Sequence, residues 1–407
     1  MNDRKNMPLA GIRVVELATV VAAPTTSRML CAYGADVIKV ETLYGDEMRR
    51  AGKTEMTPYE DDFNPLFTVH NSNKKLISIN FKNDEGKEAL LKLIGSADVF
   101  ITNVREASLR RNGLDYDALS ERFPSLVYAH FSGYGPKGPA AANPGFDSTA
   151  FWLRSGPMAD WQVKGAFPFV PTYAFGDMST SSVLLSGILM ALIGRERTGR
   201  GTKVETSLFA SGIWCNSVGI VSTQFDRKHL NPDPLWPCDP FDTYYECADG
   251  KWIGVYVNEY CRDKEKFARI LGIEDILNDP RYDDIDTLHE SGVLPEAVER
   301  INKIFKTRDS SEWRALLSAN SISCEVMQHT CEVAKDPQAI ENRYVEELKY
   351  AGGEKVMMPC PPVHFSEYTR RPYQPTGKIG QDTEEVFAQL GYTSEQIAEL
   401  RETGAIF

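Results

Sequence analysis

Residues 8–41 read PLAGIRVVELATVVAAPTTSRMLCAYGADVIKVE, and the order of elements in this stretch decides the fold. Gly11–Ala18 is rich in β-branched side chains and suits a strand. Thr25–Tyr33 suits a helix that stops at Gly34, because glycine accepts the positive φ of a helix end. Ala35–Val40 returns to strand character. Strand, helix and strand within about 30 residues make a βαβ unit, which implies a parallel pair and a crossover.

The same rhythm continues outward. Leu76–Phe81 is short and alternating, and Asp84–Gly95 has helical spacing with Asp84 as a capping aspartate and Gly95 as a terminal glycine. Ala97–Thr102 and Leu126–Phe131 read as further strands. The expected class is α/β, with a Rossmann-like doubly wound parallel sheet covered by helices on both faces. Residues 136–175 break the rhythm with six prolines (136, 139, 144, 157, 168 and 171) and read as long loops. A helix resumes after Asp177 and runs to about Arg195. A proline-rich run, NPDPLWPCDP, marks a domain boundary near residues 224–240, and a mixed α+β segment follows it. The division expected is a large domain over 1–200 completed by 345–407, a linker helix over 201–225, a small α+β domain over 226–334, and a return segment over 335–407.

Bulk properties narrow the function. The chain has 407 residues, 42% hydrophobic and 25% charged, and a formal net charge of −12. An acidic balance argues against nucleic acid or an anionic membrane as partner, while leaving room for a local basic pocket. The N-terminal run is polar, and the most apolar stretch, Val183–Gly194, is shorter than the roughly 20 residues of a bilayer span. A soluble, cytoplasmic protein is expected. Eight cysteines without a Cys-x-x-Cys pair, and Cys324, His329 and Cys331 at spacings that fit no zinc pattern, give no expected metal site.

Three features bear on chemistry. Gly133-Tyr-Gly135-Pro-Lys-Gly138 has the spacing of a dinucleotide fingerprint, but Pro136, Pro139 and Pro144 obstruct the helix such a motif must open. It reads as a tight loop beside some other ligand. Basic residues gather in the first third: Lys74 and Lys75 before a strand, Lys82 after it, then Arg105, Arg110 and Arg111. They suit either phosphate binding or a solvated charged face. Asp177, in Phe175-Gly176-Asp177-Met178-Ser179, precedes an apolar helix. It reads either as an N-cap or, ionised at a helix N-terminus, as a nucleophile.

At this point the chain resembles the class III coenzyme A transferases, the family of formyl-CoA, carnitine-CoA and phenyllactate-CoA transferases. The opening stretch is similar to the family's first βαβ unit, and NSNKKLISINFKNDEGKEALLKLIGSADVFITNVR (71–105) to its second block. SLVYAHFSGYGPKGP (125–139), GFDSTAF (145–151), AFGDMST (174–180), RERTGRGTKVETSL (195–208) and GKIGQDTEEVFAQLGY (377–392) follow in family order. The whole-chain pattern is nearest to the family's 2-hydroxyisocaproate and phenyllactate members from amino-acid-fermenting anaerobes.

The resemblance implies a CoA-transferase that moves CoA from an acyl-CoA thioester to a small carboxylic acid, here a 2-hydroxy acid with an apolar side chain. It implies Asp177 as nucleophile, through aspartyl anhydride and aspartyl-CoA thioester intermediates. It implies a coenzyme site at Val21, Ala22, Lys82, Asn103, Val104, Arg105, Arg111, Ser132, Gly133 and Tyr134, with coenzyme A as substrate and no tightly bound cofactor. It implies an interlocked homodimer. Phe146, Phe151, Trp152 and Trp161 are candidates for an apolar acyl pocket, and backbone amides near Gly176 or at Ser132–Tyr134 for an oxyanion site. Two departures stand out. Where the family often carries a glycine-rich loop, this chain has Pro234-Leu-Trp-Pro-Cys238. Where its 2-methylacyl-CoA racemases carry Gly-His-Asp, this chain has Gly145-Phe146-Asp147, and phenylalanine carries no proton. A racemase and a non-catalytic CoA-binding protein are the alternatives; Phe146 counts against the first and Asp177 against the second.

Overall fold

The computed structural model describes residues 7–169, 171–225, 231–257 and 259–407. Two compact units separate among them, one within Met1–Pro157, Val170–Gln224 and Asp336–Phe407, the other within Met158–Phe169 and Phe225–Lys335. The sequence-based boundary at 226 lies outside the described residues.

The first unit opens with β1 (Arg13–Leu17), α1 (Ala22–Ala32) and β2 (Asp36–Glu41). α1 starts earlier than its sequence suggested: the amide of Thr25 already donates to the Val21 carbonyl at 2.8 Å, so a first turn precedes it. β3 (Lys75–Ser78), α2 (Asp84–Gly95), β4 (Val99–Thr102), α3 (Glu106–Asn112) and β5 (Val127–Ser132) follow. The cap of α2 is Asn83 rather than Asp84; its side chain accepts the amides of Glu85 and Gly86 at 2.8 and 3.3 Å. Residues 136–175, expected as loops, hold a π-helical segment, Asp147–Leu153. The long helix α4 runs over Phe175–Thr198 and starts two residues before Asp177. The stretch expected as a linker helix opens instead with a strand, β6 (Lys203–Ser207), before α5 (Leu208–Cys215) and α6 (Ser217–Ser222).

These strands form a six-stranded sheet in the order β3-β2-β1-β4-β5-β6, and every pairing is parallel. Its strands are apolar on both faces, as a doubly covered sheet requires: Val14, Val15, Val37, Ile38, Ile77, Phe100, Ile101, Val127 and Ala129 are all buried. The order reverses direction between β1 and β4. In open parallel sheets ligands bind at the carboxyl ends of the strands beside such a reversal.

α4 is long and apolar enough to cross a membrane by length and composition. Here it packs within the unit against α1, β6 and α5. Leu184 and Ile188 are fully buried. A Cβ at Gly187 would meet Val204 at 2.6 Å, so the helix presses directly on β6.

The second unit carries β7 (Thr243–Glu246), β8 (Trp252–Tyr256), α7 (Tyr260–Leu271), α8 (Leu294–Phe305), α9 (Ser310–Ala319) and β9 (Ser323–Val326). Its antiparallel sheet, in the order β7-β8-β9, shares a core of Tyr245, Ile253, Phe267, Phe305 and Trp313 with these helices. The chain then returns to the first unit through an antiparallel hairpin, β10 (Val345–Lys349) and β11 (Lys355–Pro359). α10 (Thr383–Gln389) and α11 (Ser394–Glu402) end the chain. Val386, Phe387, Ile397 and Leu400 close one face of the parallel sheet, against Ile38, Ile77 and Phe100.

Candidate active site

The site builds from the reversal point of the sheet. The loop after β1 is fixed by its neighbours. The Thr19 amide donates to the Asn103 side chain at 3.1 Å, and the Asn103 side-chain amide donates back to the Thr19 carbonyl at 2.8 Å. This bridge ties the β1 loop to the β4 loop across the crevice. Val20 takes φ +69°, a left-handed conformation costly for a β-branched residue. Its amide is held at 3.0 Å by the Asp46 carboxylate, itself paired with Lys39 at 2.8 Å.

The β5 loop comes next. The Gly135 amide donates to the Ser132 hydroxyl at 3.1 Å. Gly133 lies back to back with Gly145: a Cβ on Gly133 would come within 2.6 Å of the Gly145 Cα. The β5 loop thus seats the segment that enters the π-helical turn, and with it Asp147.

Asp147 reaches the first turn of α4. Its carboxylate accepts the Asp177 amide at 2.7 Å and also the Gly176 amide. The Phe175 amide donates to the Thr172 carbonyl at 3.3 Å and the Met178 amide to the Ala174 carbonyl at 3.0 Å. Every backbone amide from Phe175 to Met178 therefore has an acceptor, and no first-turn amide is left for an oxyanion. Gly176 must be glycine because the Phe151 ring would lie 2.4 Å from a Cβ there. Ala174, in the left-handed region, packs with Val21, Met48, Phe67 and Leu76, which brings the start of α4 against the β1 loop.

Asp177 is the third residue of α4, not its cap, and is 8% exposed. Among the described residues no hydrogen bond reaches its carboxylate. Burial, reinforced by the Asp147 charge, raises its pKa from 3.8 to about 7. Burial also raises Asp147, against the opposing pull of the Asp177 and Gly176 amides and the Trp152 indole. A carboxylate that is desolvated and unbonded is a strong nucleophile once ionised.

The comparisons with known proteins give the family. The family model described as CoA-transferase family III matches residues 9–383. The chain belongs to that family. It is 36% identical over 403 residues to the (R)-2-hydroxy-4-methylpentanoate CoA-transferase of Clostridioides difficile, covering 98% of this chain and 100% of the relative. It is 33% identical over 406 residues to the cinnamoyl-CoA:phenyllactate CoA-transferase of Clostridium sporogenes, covering 98% and 97%. The crystal structure of a CAIB/BAIF family protein from Brucella suis superposes with a TM-score of 0.79 at 26% identity, covering 95% of this chain and 100% of that one. The protein is a CoA-transferase.

Within the family frame, the structure places the sequence candidates unevenly. Val21, Ala22, Asn103 and Val104 flank the reversal point, and Ser132 ends β5 with Gly133 and Tyr134 opening the loop after it. Asn103 spends both ends of its side chain on Thr19, so it shapes the crevice. Lys82, Arg105 and Arg111 follow β3 and β4 and are exposed, with no ion pair among the described residues. Three other members of the basic cluster are committed elsewhere. Lys74 is buried against Glu16 at 2.7 Å, Lys75 pairs with Asp36 and Glu385, and Arg110 pairs with Glu106 and Asp117.

The aromatic set also divides. Phe151 and Trp152 are buried beside Gly176 and Phe175, Phe146 is 61% exposed, and Trp161 belongs to the second unit. Pro234–Cys238 belongs to the second unit as well. Sequence reasoning did not single out Asp147 as the acceptor of the α4 amides. Its only sequence signal was its place next to Phe146, where racemases of the family pair histidine with aspartate.

Proposed function

We propose that this CoA-transferase passes coenzyme A from an acyl-CoA thioester to a free 2-hydroxy acid with an apolar side chain, and that Asp177 is its covalent nucleophile. The observation that carries the nucleophile is the buried Asp177 carboxylate at the sheet's reversal point, with its helix already capped by another residue. The substrate class rests on the two relatives named above for 2-hydroxy-4-methylpentanoate and phenyllactate.

Asp177 attacks the thioester carbonyl, the carbon–sulfur bond breaks, and a mixed anhydride forms with release of CoA thiolate. The thiolate, held through its nucleotide, attacks the Asp177 carbonyl of the anhydride. The donor acid leaves as its carboxylate and an aspartyl-CoA thioester remains. The acceptor carboxylate runs the sequence in reverse. Energy-rich acyl bonds are kept throughout, so little is lost to hydrolysis. Lys82, Arg105 and Arg111 are the cations for the coenzyme phosphates. With the α4 amides occupied, the Ser132–Tyr134 loop is the remaining candidate for the oxyanion.

The reading includes a homodimer. Its support is the apolar surface of α4, α5 and α6: Met190, Ile193, Trp214, Val218 and Val221 are exposed, Trp214 by 75% and Val218 by 79%. Light scattering should give twice the 45.6 kDa chain mass. The test of the activity is exchange across a panel of acyl-CoA donors and free acids, followed by mass spectrometry. Turnover with apolar 2-hydroxy acids is expected; efficient turnover only with dicarboxylic or unsubstituted acids would overturn the substrate class.

A further inference from the structure

A carboxylate in the first turn of a helix ordinarily folds back on the free amides of that turn. Asp177 has no such amide to bond, because Asp147, thirty residues earlier, takes those of Gly176 and Asp177. The cap is supplied by a side chain outside the helix, and that side chain has the same charge as the residue it displaces. We propose that Asp147 is a positioning residue for the transfer reaction: by occupying the α4 amides it holds the Gly176–Asp177 backbone and keeps the Asp177 carboxylate from folding back onto its own helix. This rests on the reading of Asp177 as nucleophile.

The local build supports a dedicated device. Asp147 lies at the start of a π-helical segment, a geometry often kept at functional sites. Its approach depends on two glycines: Gly145 seats against Gly133, and Gly176 admits the Phe151 ring of the same π-helical segment. Among the described residues, the titratable groups facing Asp177 are Asp147 and Tyr173. From α1, the groups reaching α4 are neutral: Thr25 meets Met178, and Thr26 donates to the Ser181 carbonyl at 3.0 Å. His70, behind Thr25 at 2.8 Å, is held uncharged by burial, its pKa lowered to about 3. Burial raises the basicity of Asp177 first, and among the described residues Asp147 is the charge that adds to it.

The test compares kcat and KM from pH 5 to 9 for the full-length enzyme and for Asp147→Ala, Asp147→Asn and Asp177→Asn. Alanine frees both amides, and Asp177 can then turn back to cap its own helix. A fall in kcat of about 100-fold is expected with KM for acyl-CoA nearly unchanged. Asparagine keeps one carbonyl acceptor and removes the charge. It should recover kcat to within about tenfold of wild type and move the acidic limb of the kcat profile down by roughly one pH unit. A merely structural role would lower thermal stability in both variants and leave the limb in place. Wild-type kcat in Asp147→Ala, or an unmoved limb in Asp147→Asn, overturns the proposal. If alanine prevents folding, the asparagine limb decides. Activity retained in Asp177→Asn would instead refute the nucleophile itself, whatever the residue 147 variants do.

Discussion

Glu16 and Asp177 are two buried carboxylates of the same unit with opposite surroundings. Glu16, on β1, meets Lys39 and Lys74 at 2.7 Å each and the Ser27 hydroxyl. Burial alone would raise its pKa, but the two ammonium groups outweigh burial and lower it to about 2. Asp177 has burial and a like charge acting together, and rises to about 7. The contrast shows what the fold does with a buried charge. Full pairing makes an anion inert and structural. Asp177 has no hydrogen-bond partner for its carboxylate among the described residues, which makes its ionised form costly, and such groups cluster where chemistry is done.

The comparison breaks most severely at Glu16. Glu16→Gln leaves Lys39 and Lys74 in the interior without their shared anion, and should destabilise the protein by about 3–5 kcal/mol. Chemical denaturation measures this. The sign of the pH dependence follows from the lowered pKa. The stabilisation by Glu16 is complete above its unfolded value near 4.5 and is lost as pH falls toward 2.

Asp177→Asn should act in the opposite direction. A carboxyl raised from 3.8 to about 7 favours the native state when protonated, and that contribution is lost as pH rises through this window. The asparagine variant should therefore be more stable than wild type at pH 8, by up to about 4 kcal/mol, with a higher melting temperature, and nearly match it near pH 4. Equal melting temperatures at pH 8 would mean that the carboxylate is better solvated than its surroundings indicate.

The smallest effect concerns the exposed cations. Arg111→Ala should weaken CoA binding by about tenfold, near 1.4 kcal/mol, and affect a dephosphorylated analogue less. Equal loss for both ligands in calorimetry would remove Arg111 from the phosphate site.

Much of this was legible in the sequence, for identifiable reasons. The βαβ opening could be read because β-branched runs, Gly34 and the apolar helix all point one way. β6 was hidden because Lys203–Ser207 is a polar edge strand whose burial depends on Tyr128–Ser132 across the sheet. Lys74 looked like a surface cation because its partner, Glu16, is 58 residues away. Asp177 was read as either cap or nucleophile because local spacing cannot show which acid meets the amides. The acid that meets them is Asp147, thirty residues upstream, through bonds to backbone that leave no compositional trace.

The most direct measurement is to find where the covalent intermediate forms. Wild-type enzyme is incubated with acyl-CoA and hydroxylamine or borohydride, digested, and its peptides are weighed. An aspartyl anhydride or aspartyl-CoA thioester is open to both reagents. The expected result is loss of activity that requires acyl-CoA, with the mass change on the peptide holding Asp177. A label on any other carboxylate, or inactivation without one, would contradict the account.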